Sequence, residues 1–110
     1  MMELPPSGTL LGRISDLPDS GGLEADWDAA PLFLVRKGAD IRCFVNICPH
    51  AGRALSLPDG RVFLHKGEHI LCPVHGATFE VLSGKCTGGP AGEPLKSVPI
   101  RLDGDTIRAA

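Results

Sequence analysis

Short apolar runs broken by Gly, Pro and Asp set the grain of this chain, and each run is the length of a strand rather than a helix. Residues 9–14 read as a first strand, closed by Leu17-Pro18. Residues 31–36, Pro31-Leu32-Phe33-Leu34-Val35-Arg36, predict a second, Lys37-Gly38-Ala39-Asp40 a turn, and residues 41–47 the returning arm of a hairpin. In that arm period two sets Ile41, Cys43, Val45 and Ile47 on one face and Arg42, Phe44 and Asn46 on the other, so Cys43 reads as a small core residue. Pro58-Asp59-Gly60 predicts a turn, residues 61–65 a short strand, Lys66-Gly67-Glu68 another turn, and residues 69–71 a strand. Residues 77–82 form a further strand stopped by Ser83-Gly84-Lys85, and Gly88-Gly89-Pro90-Ala91-Gly92 forms a compact loop. Residues 96–102 and 105–108 make a hairpin about Asp103-Gly104. Residues 19–28 gather Gly21, Gly22, Glu24, Asp26 and Asp28 around Trp27 and read as a solvated acidic loop, with Trp27 capping the edge of the core. No repeat or linker interrupts the pattern, and a single antiparallel β domain over residues 1–110 is expected.

Composition sharpens this reading. Ten Pro and 14 Gly in 110 residues, beside 43% hydrophobic residues, describe a turn-rich chain that still builds a core. A formal net charge of -2 argues against nucleic acid or an anionic membrane as partner. Residues 1–6 lack the basic and apolar regions of a signal peptide, and no run approaches the roughly 18 apolar residues of a membrane span. A soluble cytoplasmic protein is expected, and there the 4 Cys favour metal or reduced thiols over disulfides.

Two stretches carry the chemistry. Cys48-Pro49-His50 runs into Ala51-Gly52, and Cys72-Pro73-Val74-His75 runs into Gly76-Ala77. Both lie on loops punctuated by Pro and Gly, and together they offer two thiols and two imidazoles. Such donors serve zinc and iron–sulfur clusters alike. Zinc knuckles usually separate their ligands by about two to four residues. One residue stands between Cys48 and His50, a spacing more comfortable if the two address different metal atoms. A two-iron cluster meets that demand, with Cys48 and Cys72 on one iron and His50 and His75 on the other.

These two boxes resemble the cluster-binding boxes of Rieske [2Fe–2S] proteins, and Phe79, Gly84 and Gly88-Gly89-Pro90-Ala91 resemble the family's continuation after the second box. The resemblance covers roughly residues 32–107. It implies an all-β fold, a Rieske-type antiparallel β-sandwich with two cluster-binding loops. It also implies one [2Fe–2S] cluster on Cys48, His50, Cys72 and His75, shielded by the proline-containing loop. Neutral imidazoles in place of two thiolates make such a site less negative, which raises its potential to about -150 to +300 mV across the class. The resemblance sets the His ligands near the surface, where they couple electron transfer to proton binding. High-potential members add a disulfide beside the boxes, a Ser after the second box and a nearby Tyr. Here Arg53, Val74 and Ala77 hold those places and the chain has no Tyr, which implies a low-potential, ferredoxin-type centre.

The function implied is that of a small electron carrier rather than an enzyme. By resemblance to the ferredoxin components of multicomponent oxygenases, it would pass one electron from a flavin-dependent reductase to a terminal oxygenase. The oxygenase itself is not expected in 110 residues, because that family oxidises substrate at a second iron in a large C-terminal domain. The alternatives are a Rieske-like small subunit of a nitrite reductase or similar complex and, behind it, a structural zinc module. The 21 residues between the boxes exceed the spacer of compact oxygenase ferredoxins and mark residues 53–70 as a distinct partner surface. Cys86 matches no ligand position and reads as a buried or semi-exposed thiol, with a Cys43–Cys86 disulfide as the minor alternative. His65 and His69 read as exposed hairpin residues, because Gly67 between them opposes a helix. No Ser/His/Asp set, paired carboxylates or phosphate loop is present.

Overall fold

A computed structural model of the protein describes residues 4–49, 52–74, 76–89 and 92–110. Among them run β1 (Leu10–Arg13), β2 (Ser20–Glu24), β3 (Leu32–Lys37), β4 (Asp40–Val45), β5 (Arg61–Val62) and β6 (Leu64–His65). They are followed by β7 (His69–Leu71), β8 (Thr78–Glu80), β9 (Cys86–Gly88), β10 (Ser97–Val98), β11 (Ile100–Asp103) and β12 (Thr106–Ala109). A 3-10 turn, Ile14–Asp16, follows β1. All pairings are antiparallel and make three sheets, ordered β1-β12-β11, β10-β4-β3-β2-β5 and β6-β7-β8-β9. The expected all-β antiparallel sandwich architecture is therefore present, its strands hydrogen-bonded into three sheets among the described residues. Among the described residues no helix is long and apolar enough to cross a membrane.

The β3–β4 hairpin is the spine, paired from Leu32↔Val45 to Lys37↔Asp40 about the expected turn. Its period-two alternation is apolar on both faces, the mark of a strand buried on both sides. Phe33, Val35 and Phe44 face one core with Ile70, Cys72 and Phe79; Leu32, Leu34, Ile41, Cys43 and Val45 face another with Leu11, Val98 and Ile107. Phe33 and Phe44 stand opposite in register, their ring centroids 5.7 Å apart. Cys43 is the small core residue expected of it, and burial pushes its thiol up to about 12, so it stays protonated at neutral pH.

Residues 19–28 correct the sequence reading. They do not form a loop throughout: Ser20–Glu24 is an interior strand between β3 and β5. Gly21 and Gly22 mimic a loop signal, yet a Cβ on Gly22 would overlap the Leu34 carbonyl oxygen and lie 2.9 Å from Val35 Cγ1. Glycine is there because the backbones approach closely, the positional meaning of Gly inside a strand. Trp27 packs at the edge of the Leu11–Ile107 core, as expected. Two predicted strands also divide. Residues 61–65 break at Phe63, sending β5 to β2 and β6 to β7. Residues 96–102 break at Pro99, which has no N–H for a ladder, and send β10 to β4 and β11 to β12. Strand β9, inside what reads as turn and loop, pairs with β8 through an irregular register.

Candidate metal centre

Strand β4 delivers the chain to Cys48, and β7 delivers it to Cys72. Both loops then close with the same ring. The Cys48 N–H donates to the Arg53 carbonyl (2.7 Å) and the Gly52 N–H returns to the Cys48 carbonyl (2.8 Å). The Cys72 N–H donates to the Ala77 carbonyl (2.8 Å) and the Gly76 N–H returns to the Cys72 carbonyl (3.0 Å). Gly52 and Gly76 hold the same place in the ring with φ of 64° and 75°, a left-handed conformation that glycine adopts without a Cβ penalty. Pro49 and Pro73 follow each cysteine and fix the entry of the turn.

The rings carry both cysteines into one apolar cluster. Cys48 is 0% and Cys72 1% exposed, packed with Phe33, Phe44, Ile70 and Phe79. Cys43, one face away on β4, belongs to the other cluster. Cys86 is half-buried against the first, its thiol donating to the Gly88 carbonyl at 3.5 Å, and it is not bonded to Cys43. The sequence reading of Cys86 as a semi-exposed thiol stands. His50 and His75, the imidazole donors expected from the sequence, lie outside the described residues, as do Pro90 and Ala91 of the shielding loop. The start of that loop is described: a Cβ on Gly89 would lie 2.6 Å from Ala77 Cα and 3.0 Å from Ala77 N, so it rests backbone on backbone against the second ring.

The donor set fits an iron–sulfur group. Two thiols, each from a loop closed by the same pair of backbone hydrogen bonds, lie buried in one apolar cluster. Thiolate and imidazole together suit iron–sulfur clusters and zinc rather than hard cations.

Three residues that the motif does not name brace the first loop. Asn46 (4% exposed) accepts the Leu55 N–H on Oδ1 at 2.7 Å and donates through Nδ2 to Ser56 Oγ at 3.0 Å. The Ser56 hydroxyl donates to Glu24 Oε2 at 2.6 Å. Glu24, expected on a solvated loop, is thus a bonded member of β2. The available signal was Asn46 itself, a polar residue on the Phe44 face two residues ahead of a ligand candidate.

Elsewhere the chemistry is sparse. His65 and His69 face each other across the β6–β7 hairpin, with Glu80 beside His69 on β8. The Glu80 carboxylate is occupied by the N–H groups of Leu82 (3.1 Å) and Ser83 (2.8 Å), which lower its pKa. Among the described residues no three His, Cys, Asp or Glu side chains group to hold an ion. The spacer after the first box exposes Leu57 and Phe63, the latter at 51%.

The family model of the Rieske [2Fe–2S] domain matches residues 8–99. The cytochrome b6-f complex iron-sulfur subunit of Chlorobaculum thiosulfatiphilum is 28% identical over 97 residues, 88% of this chain and 50% of that protein. The ferredoxin component of the naphthalene 1,2-dioxygenase system of Pseudomonas aeruginosa is 27% identical over 92 residues, 84% of each chain. The chain therefore spans half of the first relative and most of the second. Among solved structures, the ferredoxin of carbazole 1,9a-dioxygenase from Nocardioides aromaticivorans IC177 superposes with a TM-score of 0.81 at 24% identity, covering 96% of this chain and 98% of that one. At that identity the likeness is one of fold.

Proposed function

The chain belongs to the Rieske [2Fe–2S] domain family, and on that premise we propose that it is a single domain over residues 1–110 that carries one electron at a time on one [2Fe–2S] cluster. Cys48 and Cys72 would hold one iron, and His50 and His75 the other. The observation that carries this reading is the pair of loops, closed by the same two backbone hydrogen bonds, that bring two cysteines into one buried cluster. Bound there, the cluster supplies one-electron reduction and oxidation near the protein surface. The chain's own part is to keep water from the sulfurs with Phe33, Ile70 and Phe79, and to hold the loops rigid so that little rearranges between redox states.

Two absences support a low potential within the class. Ala77, fully buried beside Cys48 and Cys72, presents a methyl where a hydroxyl would stabilise added negative charge, and the chain has no Tyr to supply a second. The chain is of the ferredoxin type, homologous to a component of a dioxygenase system, which supports a terminal oxygenase as electron acceptor and a flavin-dependent reductase as donor. A cytoplasmic location fits such a pair.

The test is EPR of protein purified without air and reduced with dithionite, with iron and zinc quantified in the same sample. A rhombic signal with average g below the free-electron value and two irons per chain is expected. A silent spectrum with one zinc per chain overturns the reading in favour of a structural module. A redox titration of the same signal then checks the low potential, and Ala77→Ser is expected to raise the midpoint.

A further inference from the structure

The two cysteine rings stand on different bases. Below the Cys72 ring the chain continues as a ladder, Leu71 paired with Thr78 and Ile70 with Phe79. Asn46 and Leu55 hold the places below the Cys48 ring that Ile70 and Phe79 hold below the other. Between them the described backbone makes no such pair: the Asn46 N–H donates to the Pro31 carbonyl at 2.9 Å. The Leu55 N–H is met instead by the Asn46 side chain.

We propose that the Asn46 side chain is a surrogate ladder rung that closes the first cluster loop, and that Ser56 and Glu24 lock its orientation, which makes the three residues positioning residues for Cys48. The proposal rests on the reading of Cys48 as a ligand.

The direction of the relay is dictated by its members. A backbone N–H can only donate, so the amide oxygen of Asn46 must face Leu55 and its NH2 must face Ser56. The Ser56 oxygen then accepts, and its single proton goes to the Glu24 carboxylate. Asn46 Oδ1, Asn46 Nδ2 and Ser56 Oγ each have a partner, and among the described residues no buried side-chain polar atom lacks one. Asn46→Asp removes the donor: Ser56 then has one proton for two carboxylates, Asp at 46 and Glu24. Adding Glu24→Gln supplies a new donor at the far end, so the relay can run in reverse, from the Gln amide through Ser56 to Asp at 46. The single substitution should therefore fail and the pair should recover, an ordering that packing alone does not produce.

The experiment compares the parent with Asn46→Asp, Ser56→Ala and Asn46→Asp/Glu24→Gln as cluster-loaded protein. It reads hydrogen exchange by mass spectrometry at the segment containing Leu55 and the rate of iron release to a chelator. For Asn46→Asp both rates are expected to rise about tenfold or more, while exchange in the β7–β8 segment stays put. Ser56→Ala, which removes one hydroxyl, is expected to move the same two rates by a smaller factor. The double variant is expected within about threefold of the parent. Unchanged exchange at Leu55 in both single variants, equal loosening of both loops, or a double variant no better than Asn46→Asp would overturn the proposal. The ligand reading fails separately: equal metal content in the parent and in a Cys48→Ala variant, with the iron signal lacking, would remove it, whereas the exchange pattern would still decide whether Asn46 is the rung.

Discussion

The loop at Cys72 rests on the β7–β8 ladder, whereas the loop at Cys48 rests on Asn46, Ser56 and Glu24, and the same hydrogen-bonded ring crowns both. A backbone rung accepts almost any side chain, because the bonding groups belong to the main chain. A side-chain rung demands one residue type in one orientation. The second loop can thus vary in sequence at its base, and the first cannot. The spacer explains why the bases differ. Both edges of β4 are already taken, by β3 and β10, so the chain leaving the Cys48 ring finds no free edge there to complete a hairpin and goes on to β5 and β6 in two sheets.

The sharpest way to break the equivalence of the rings is to remove each cysteine. Cys48→Ala and Cys72→Ala are each expected to lower iron from two atoms per chain to nearly none, with equal effect. An iron assay showing one variant still loaded would mean that the loops do not share one centre. Next in size are the glycines. Gly89→Ala drives a Cβ into the backbone of Ala77 and adds a left-handed penalty at φ 79°, for a cost above about 3 kcal/mol. Gly52→Ala meets nothing within 4 Å and should cost about 1–2 kcal/mol, the conformational penalty alone, and Gly76→Ala the same. Chemical denaturation measures all three, and a Gly52→Ala cost as large as that of Gly89→Ala would show that the first ring is clamped from outside as well.

The smallest effect concerns pH. The N–H groups of Leu82, then those of Ser83, hold the Glu80 carboxyl below its ordinary 4.5, just past the second loop. Its folded value lies under its unfolded one, so its contribution is complete above the unfolded value and fades as pH falls through the folded one. The stability gap between parent and Glu80→Gln should be constant near neutrality and close in acid. Denaturation midpoints across pH 2–7 read the gap, and one that widens in acid would reverse the assignment.

Much of this molecule was legible before folding. The β3–β4 hairpin, the burial of Cys43, the turns at 58–60 and 66–68 and the two boxes all follow from local rules: period-two alternation, turn chemistry and ligand spacing read within a few residues. What misled was also local. Gly21 and Gly22 carry the composition of a loop, and only the closeness of Leu34 and Val62 turns that composition into an interior strand. Pro99 and Phe63 divide strands between sheets because neighbours distant in sequence compete for their edges. The donor types in the boxes were written in the chain, since Cys and His chemistry is intrinsic to the side chains. That Cys48 and Cys72 share one dry cluster, that their rings are the same, and that Asn46 stands in for a strand were decided by tertiary structure alone. A hydrogen bond between Asn46 and Leu55, or between Ser56 and Glu24 across 32 residues of chain, exists only once the sheets have brought its ends together.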